Sequence, residues 1–404
     1  MTATTEIAPP EPDLTAAELL SRAQELVPVL RERQPATEAA GRLLDETHDA
    51  FVESGLYRAL QPRRFGGYEL GLRDFVRVMS EISRGCPSSG WVLALTSGHP
   101  HLLSHWSEEA QAELYGATGD LRVPGRPVQA GLAVPTDGGY TVSGAWDYAS
   151  GCDHSTHFMG SAIVQGSEPP RLTWLLIDRA DYEIVDNWDV IGLRGTGSKR
   201  VVCEAVHVPE RRCITAIGTT GERPPGWRSH ANPLYAGGLF SLLFFELGAI
   251  AVGAARGAID VYEDVLGAKA LDIPPFVLRG EVDEYQHHLG RAVGLVDLAE
   301  AALLEGADRY MDQATRAYEA DQPVDDNDEE TRRLLFLQQN CIRLCDEAVE
   351  LVFRTGGTSS ARRGHPIGNA MLALTVMRTH MGLQLDRTAT NLGRLRLGMQ
   401  PGFV

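Results

Sequence analysis

The sequence predicts an α+β fold, mostly α: an N-terminal helical domain, a central antiparallel β domain and a C-terminal four-helix bundle. Three observations carry this. Apolar residues recur at helical spacing through about the first 120 positions. Near Pro124 the texture changes to short β-rich runs broken by Gly, Asp and Pro, with no βαβ alternation. Beyond about residue 233, long helical segments with short connections return, the pattern of an up-down bundle.

Taken in order, residues 1–13 are Pro-rich and polar, which predicts a disordered segment. They lack the basic region and apolar core of a signal peptide. Thr15-Ala-Ala-Glu18 reads as a capping box, and Leu19, Leu20, Ala23, Leu26, Val27 and Leu30 continue it as a helix. Further helices are expected at 37–54, 71–84, 88–104 and 107–115, interrupted by Pro62, Gly66 and Gly67, and these make up a helical domain over 14–123. The β domain spans 124–210. Tyr140-Thr-Val-Ser-Gly144 alternates after the turn signal Thr136-Asp-Gly-Gly139, and His157 to Val164, Leu172 to Ile177 and Val201 to Val208 also read as strands. A Pro/Gly/Arg-rich linker, 211–232, leads into the bundle, 233–404, with helices at 234–266, 279–319, 329–354 and 368–390. Asp328 sits at the third helix's cap, with Leu334, Leu335, Leu337, Leu344, Val349 and Val352 on its apolar positions.

Charge and cysteine usage narrow the function. Net charge is −17, from 37 basic and 54 acidic residues, which argues against a nucleic-acid partner and suits a small-molecule substrate. The six cysteines are scattered, and Cys341 and Cys345 lack C-x-x-C spacing, so they read as reduced core thiols of a cytoplasmic protein. The most apolar stretch, Leu239 to Ala255, carries Ser241 and Glu246, which favours a buried helix over a membrane span. Gly195-Thr-Gly197-Ser-Lys-Arg begins like a dinucleotide fingerprint, but arginine fills the last glycine position and no strand–helix unit surrounds it. Neither a Walker A loop nor a G-x-S-x-G elbow is present, and His154 and His157, near Cys152 and Asp153, lack matching ligands, so no metal site is predicted.

Five stretches, in this order, carry a family resemblance: Arg64-Phe-Gly-Gly-Tyr68, Pro87-Ser-Ser-Gly-Trp-Val-Leu93, Gly144-Ala-Trp-Asp-Tyr-Ala-Ser-Gly-Cys-Asp153, Trp188-Asp-Val-Ile-Gly-Leu-Arg-Gly-Thr-Gly-Ser198 and Phe353-Arg-Thr-Gly-Gly-Thr358. Over residues 15–395 they resemble the flavin-dependent monooxygenases built on the acyl-CoA dehydrogenase fold. That family includes the oxygenase components of p-hydroxyphenylacetate hydroxylase and dibenzothiophene monooxygenase. The resemblance implies reduced FMN or FAD delivered by a separate NAD(P)H:flavin reductase, O2 as co-substrate, and a flavin C4a-hydroperoxide. It implies a homotetramer acting on an aromatic or polycyclic substrate, with polyketide-type molecules among the options. The alternative within the same fold is a flavin dehydrogenase or oxidase that inserts no oxygen, with Glu246 as its base.

The same resemblance assigns residues. Dehydrogenases often carry a carboxylate base where this chain reads Arg378-Thr-His-Met-Gly-Leu383, and the oxygenases carry a histidine, matched by His380. A histidine near neutral pKa can hydrogen-bond the peroxide or take a phenol's proton. Ser150 is expected near flavin N5, although a turn serine can equally bond its own backbone. His99 is expected to face flavin or substrate, or else to satisfy a helix-end carbonyl. Trp146, with core packing as its other reading, Thr196, Gly197 and Ser198 are expected on the flavin ring side. Arg354, Gly356, Gly357 and Thr358 are expected at its phosphate, with a plain helix C-cap as the other reading of Gly356. Trp91 and Arg378 complete the substrate pocket.

Overall fold

A computed structural model describes residues 6–215 and 224–402, and for 127–130 the backbone alone. The capping box is complete: the Glu18 N–H donates to the Thr15 hydroxyl at 3.2 Å and the Glu18 carboxylate accepts the Thr15 N–H at 2.8 Å. It opens α1 (Ala16–Ala40), which runs through Pro28 and Pro35 before left-handed Gly41 ends it. The predicted helix 37–54 is therefore the tail of α1 followed by α2 (Asp45–Glu53). Residues 6–13 depart from the disorder expected of 1–13. Ile7 donates its N–H to the Arg64 carbonyl at 2.9 Å, and Glu11 pairs with Arg22 at 2.7 Å. Residues 1–5 lie outside the described residues.

Three helices complete this layer: α3 (Leu72–Gly85), α4 (Pro87–Leu103) and α5 (Glu108–Tyr115). Apart from Leu95, every residue of α4 is buried. Such a helix, apolar nearly all round, needs cover on every side.

The strands β1 (Gly125–Thr136), β2 (Gly139–Ala149), β3 (His157–Val164), β4 (Leu172–Asp178), β5 (Glu183–Val185), β6 (Lys199–Pro209) and β7 (Cys213–Thr215) form one sheet in the order β5-β6-β2-β1-β3-β4-β7. The expectation of a purely antiparallel domain needs correction, because β1 and β3 pair in parallel, with Leu132 opposite Ile163. The reason is placement. The chain reverses at β2 and again before β3, but β3 docks beyond β1 instead of beyond β2, so it runs in the direction of β1. Every other pair is antiparallel. Of the predicted linker, 216–223 lies outside the described residues, and Gly226 donates its N–H to the His105 carbonyl.

The bundle comprises α6 (Leu239–Ala268), α7 (Asp283–Glu319), α8 (Glu329–Thr355), α9 (Pro366–Met377) and α10 (Leu385–Arg396). Its fourth predicted helix, 368–390, is in fact two, interrupted over 378–384. Among the described residues α6 is the one helix long and apolar enough to cross a membrane, and 89% of its most apolar window is buried against neighbouring helices, so it is the core helix of the bundle. It lies close to α3 because Gly253 and Gly257 present no side chain; a Cβ at Gly253 would stand 2.1 Å from the Ser80 carbonyl oxygen. Gly253→Val forces that contact open. It is expected to cost about 1–3 kcal/mol through overpacking, read as a lower unfolding midpoint in denaturant; an unchanged midpoint would contradict this packing.

Candidate active site

The break between α9 and α10 is built by hydrogen bonds that compete with helix continuation. His380 is extended (φ −64°, ψ 132°) and caps the short turn Met381–Leu383, its Nδ1 accepting the Gly382 N–H at 3.2 Å. Gln339 of α8 donates to the Gly382 carbonyl at 2.8 Å, and Gln384 donates to the His380 carbonyl at 3.0 Å. Gly382 is required there, since a Cβ would lie 2.7 Å from the Phe244 ring of α6. The turn is thus tied to two bundle helices.

This bonding fixes the tautomer. Burial, with a smaller contribution from the nearby Arg126 charge, pushes the His380 imidazole down to about 4, so the ring is neutral at pH 7. With Nδ1 accepting from a backbone N–H, the single proton resides on Nε2. His380 therefore offers a hydrogen-bond donor at its free edge and has no second lone pair there to serve as a base.

Facing it is a chain of hydroxyls. The His380 ring meets Trp91 of α4 edge-on, with centroids 6.0 Å apart. The Trp91 indole N–H donates to Ser150 Oγ at 2.9 Å; Ser150 Oγ lies 2.8 Å from Ser198 Oγ, and Ser198 Oγ lies 2.6 Å from Thr196 Oγ1. Thr196 spends its proton on the Leu193 carbonyl at 2.8 Å. Each hydroxyl has one proton, so polarity runs one way: Ser198 donates to Thr196, Ser150 donates to Ser198, and Trp91 donates to Ser150. One Ser150 lone pair is left over, ready to accept. Ser150 follows β2, Thr196 and Ser198 lie in the turn before β6, and Gly197 supplies the left-handed residue (φ 53°) of that turn. At the start of β1, Arg126 donates from Nε to the Asp147 carbonyl at 2.5 Å, and its Nη1 reaches Met381 Sδ at 3.8 Å.

Other expected residues stand elsewhere. Trp146 is fully buried beneath the sheet, donates to the Ser161 carbonyl at 2.9 Å and packs on Phe158, so it is core and not a flavin-facing residue. His99 is buried with Nδ1 2.5 Å from the Val123 carbonyl oxygen, the carbonyl-satisfying arrangement. Arg378 is more than half exposed and pairs with Asp346 at 3.1 Å, which takes it out of the pocket. Arg354 is exposed and lies 3.7 Å from Glu350 along α8, turned away from the glycine loop that follows.

That loop has a different arginine. Arg279 donates to the Gly356 carbonyl at 3.2 Å, and a Cβ at left-handed Gly357 (φ 86°) would meet its Nη1 at 3.0 Å. Lys269 donates to Ser359 Oγ at 2.7 Å, while Thr358 stands exposed at the start of the next turn. Arg279 Nε and Ser360 Oγ are buried with no partner among the described residues. Two cations, two unsatisfied polar atoms and a glycine cradle fit a phosphate. The donor–acceptor edge of His380 and Ser150 likewise fits the polar edge of an isoalloxazine ring. The two clusters lie at opposite ends of α9, whose 12 residues span roughly 18 Å. Arg126, Lys269, Arg279 and Gln339 escaped the sequence reading. Arg279 and Gly356 are 77 positions apart, and no periodic signal connects them.

Glu246 is fully buried, neither carboxylate oxygen has a partner among the described residues, and burial raises its pKa well above the usual range, so it is protonated. It abuts Gly98, whereas Phe244, two positions earlier and so on the opposite side of α6, abuts Gly382. Glu246 thus faces away from His380. No group of metal-binding side chains occurs among the described residues; His154 instead stacks on His48 and bonds Asp45 at 3.0 Å.

The tautomer is measurable. At pH 7, 15N spectra of histidine-labelled protein should show His380 with a protonated Nε2 and a pyridine-like Nδ1; protonation at Nδ1 would overturn the assignment. Acid should also destabilise the fold. His380 and His230 titrate near 4 and His101 near 3, against 6.5 for an ordinary imidazole. Between those limits the unfolded chain binds more protons, so stability falls as pH drops from about 6.5 towards 4.

Comparisons with known proteins show the family. Residues 20–117 match the family described as acyl-CoA dehydrogenase, N-terminal domain, and residues 246–385 match acyl-CoA dehydrogenase, C-terminal domain. The chain is 30% identical over 389 residues to a pigment production hydroxylase of Rhodococcus sp. (strain ATCC 21145), covering 96% of this chain and 98% of that one. It is 30% identical over 402 residues to the oxygenase component of the FADH(2)-dependent resorcinol hydroxylase of Rhizobium sp. (strain MTP-10005), covering 95% of each. Among solved structures, 3-HSA hydroxylase from Rhodococcus sp. RHA1 superposes with a TM-score of 0.86 at 28% identity, over 96% of this chain and 98% of that one. The chain belongs to the flavin-dependent monooxygenases of the acyl-CoA dehydrogenase fold, as an oxygenase component.

Proposed function

We propose that this oxygenase hydroxylates an aromatic or polycyclic substrate at the His380–Ser150 junction, using reduced FMN or FAD from a separate NAD(P)H-dependent reductase. The relatives named as pigment production and resorcinol hydroxylases support the aromatic class. The observation that carries the reading is the pairing, in one half-buried junction, of a neutral imidazole N–H with a serine oxygen polarised to accept. Bound reduced flavin supplies two electrons, so that one oxygen atom of O2 enters the substrate and the other leaves as water. Ser150, held by Trp91 and Ser198, would accept a ring N–H of the bound flavin. The Nε2–H of His380 would donate to an oxygen atom at the reacting centre and orient it. Trp91 and the buried end of α4 exclude water from that side. The cradle of Arg279, Lys269, Gly356, Gly357 and Thr358 holds a flavin phosphate. Because it lies a helix length from His380, a second copy of the chain presents it, which suits a homotetramer. The six unpaired thiols suit a reducing cytoplasm.

Three outcomes test the proposal. Purified protein should oxygenate phenols only with a flavin reductase and NAD(P)H, or with chemically reduced flavin; turnover with NADH and no reductase would refute the two-component reading. His380→Ala should lower the yield of product per O2 consumed and slow product formation roughly 10²–10³-fold, with peroxide released in its place; coupling that survives unchanged would sink the assignment. Glu246→Gln, nearly isosteric with an acid that is already neutral, should leave oxygenation within about twofold, whereas a dehydrogenase relying on that carboxylate would lose its activity.

A further inference from the structure

Arg126 is the cation of the His380 junction, and its surroundings are unusual for a guanidinium. It is half-buried at the start of β1, and burial lowers its pKa. A desolvated guanidinium normally recovers the lost hydration through a carboxylate. Here the carboxylate whose charge acts on it, Asp147, is gripped by Arg200 from two nitrogens, at 2.5 Å and 3.0 Å, and by Asn187 at 2.8 Å. Arg126 receives only the Asp147 backbone carbonyl, on Nε, and the Met381 thioether, on Nη1. Thioether sulfur is a weak acceptor. Nη2 has no partner among the described residues, so the weakly accepting Met381 sulfur is the one partner there of the Nη1–Nη2 edge, beside the His380 turn.

A two-nitrogen edge of fixed planar geometry matches the two oxygens of a carboxylate. His380, on the same turn as Met381, offers a single neutral N–H, suited to a single oxygen. We propose that Arg126 is the substrate-selecting residue of this oxygenase and that it binds a carboxylate carried by the aromatic substrate, fixing which ring carbon faces His380. The inference rests on the oxygenase reading of this pocket and names its substrate class as an aromatic acid.

The test uses the full chain and two probes of nearly equal shape, 4-hydroxyphenylacetate and 4-hydroxyphenylacetamide. Binding is measured by calorimetry, both without flavin and anaerobically with reduced FMN. The wild type should prefer the acid by about 10- to 100-fold, the range for a charge-assisted pair. Arg126→Met should erase that preference and leave amide affinity and reduced-FMN affinity within about twofold, and Arg126→Lys should restore part of it. The idea is overturned if the wild type shows no acid preference, binding of neither probe included. It is equally overturned if Arg126→Met weakens acid and amide alike, or weakens reduced FMN by the same factor. An Arg126-dependent acid preference in a protein that binds no reduced flavin would sink the oxygenase reading and leave the carboxylate site standing.

Discussion

The site depends on one backbone hydrogen bond, from the Gly382 N–H to Nδ1 of His380. It caps the turn that follows α9, sets the imidazole's orientation and decides which nitrogen carries the proton. A straight helix through 378–384 would have given that N–H to a carbonyl four residues back and left His380 free to choose its tautomer. The break costs helical hydrogen bonds, and Gln339 and Gln384 restore partners to the carbonyls it exposes. The ring's electrostatic character therefore comes from main-chain geometry as much as from burial.

The hydroxyl chain follows the same logic on the other wall. Trp91 has only a donor, and the Leu193 carbonyl is only an acceptor, so the three hydroxyls between them have no freedom to reverse. Preorganised dipoles of this kind need not reorient while charge develops nearby. The two walls come from different parts of the sequence: α4, the ends of β2 and the β5–β6 turn on one side, the α9–α10 break on the other. The order helices, strands, bundle is what allows them to meet.

Much of the fold was legible in the sequence because its signals are local. The Thr15 capping box, the Thr136–Gly139 hairpin and the apolar stripe of the 329–355 helix each depend on residues a few positions apart. The parallel pairing of β1 with β3 was not legible, since strand periodicity is the same for either neighbour. The break at 378–384 was missed because its cause is capping by His380 and packing against Phe244, which lies 138 positions before Gly382 in the chain. Within the site, His380, Ser150, Thr196, Ser198 and Trp91 do converge. Trp146 failed for a geometric reason: strand alternation near a register shift puts it on the core face. Arg354 lies exposed along α8 beside Glu350.

Met381 has a liability written into its position. Its thioether sits beside the imidazole, partly exposed and in contact with Arg126. Thioethers are readily converted to sulfoxides, which are polar and chiral. A catalyst that handles activated oxygen within reach of such a sulfur carries an internal record of its own misfires. Each stray oxidation would plant an S=O dipole against the guanidinium and occupy the edge on which selectivity rests.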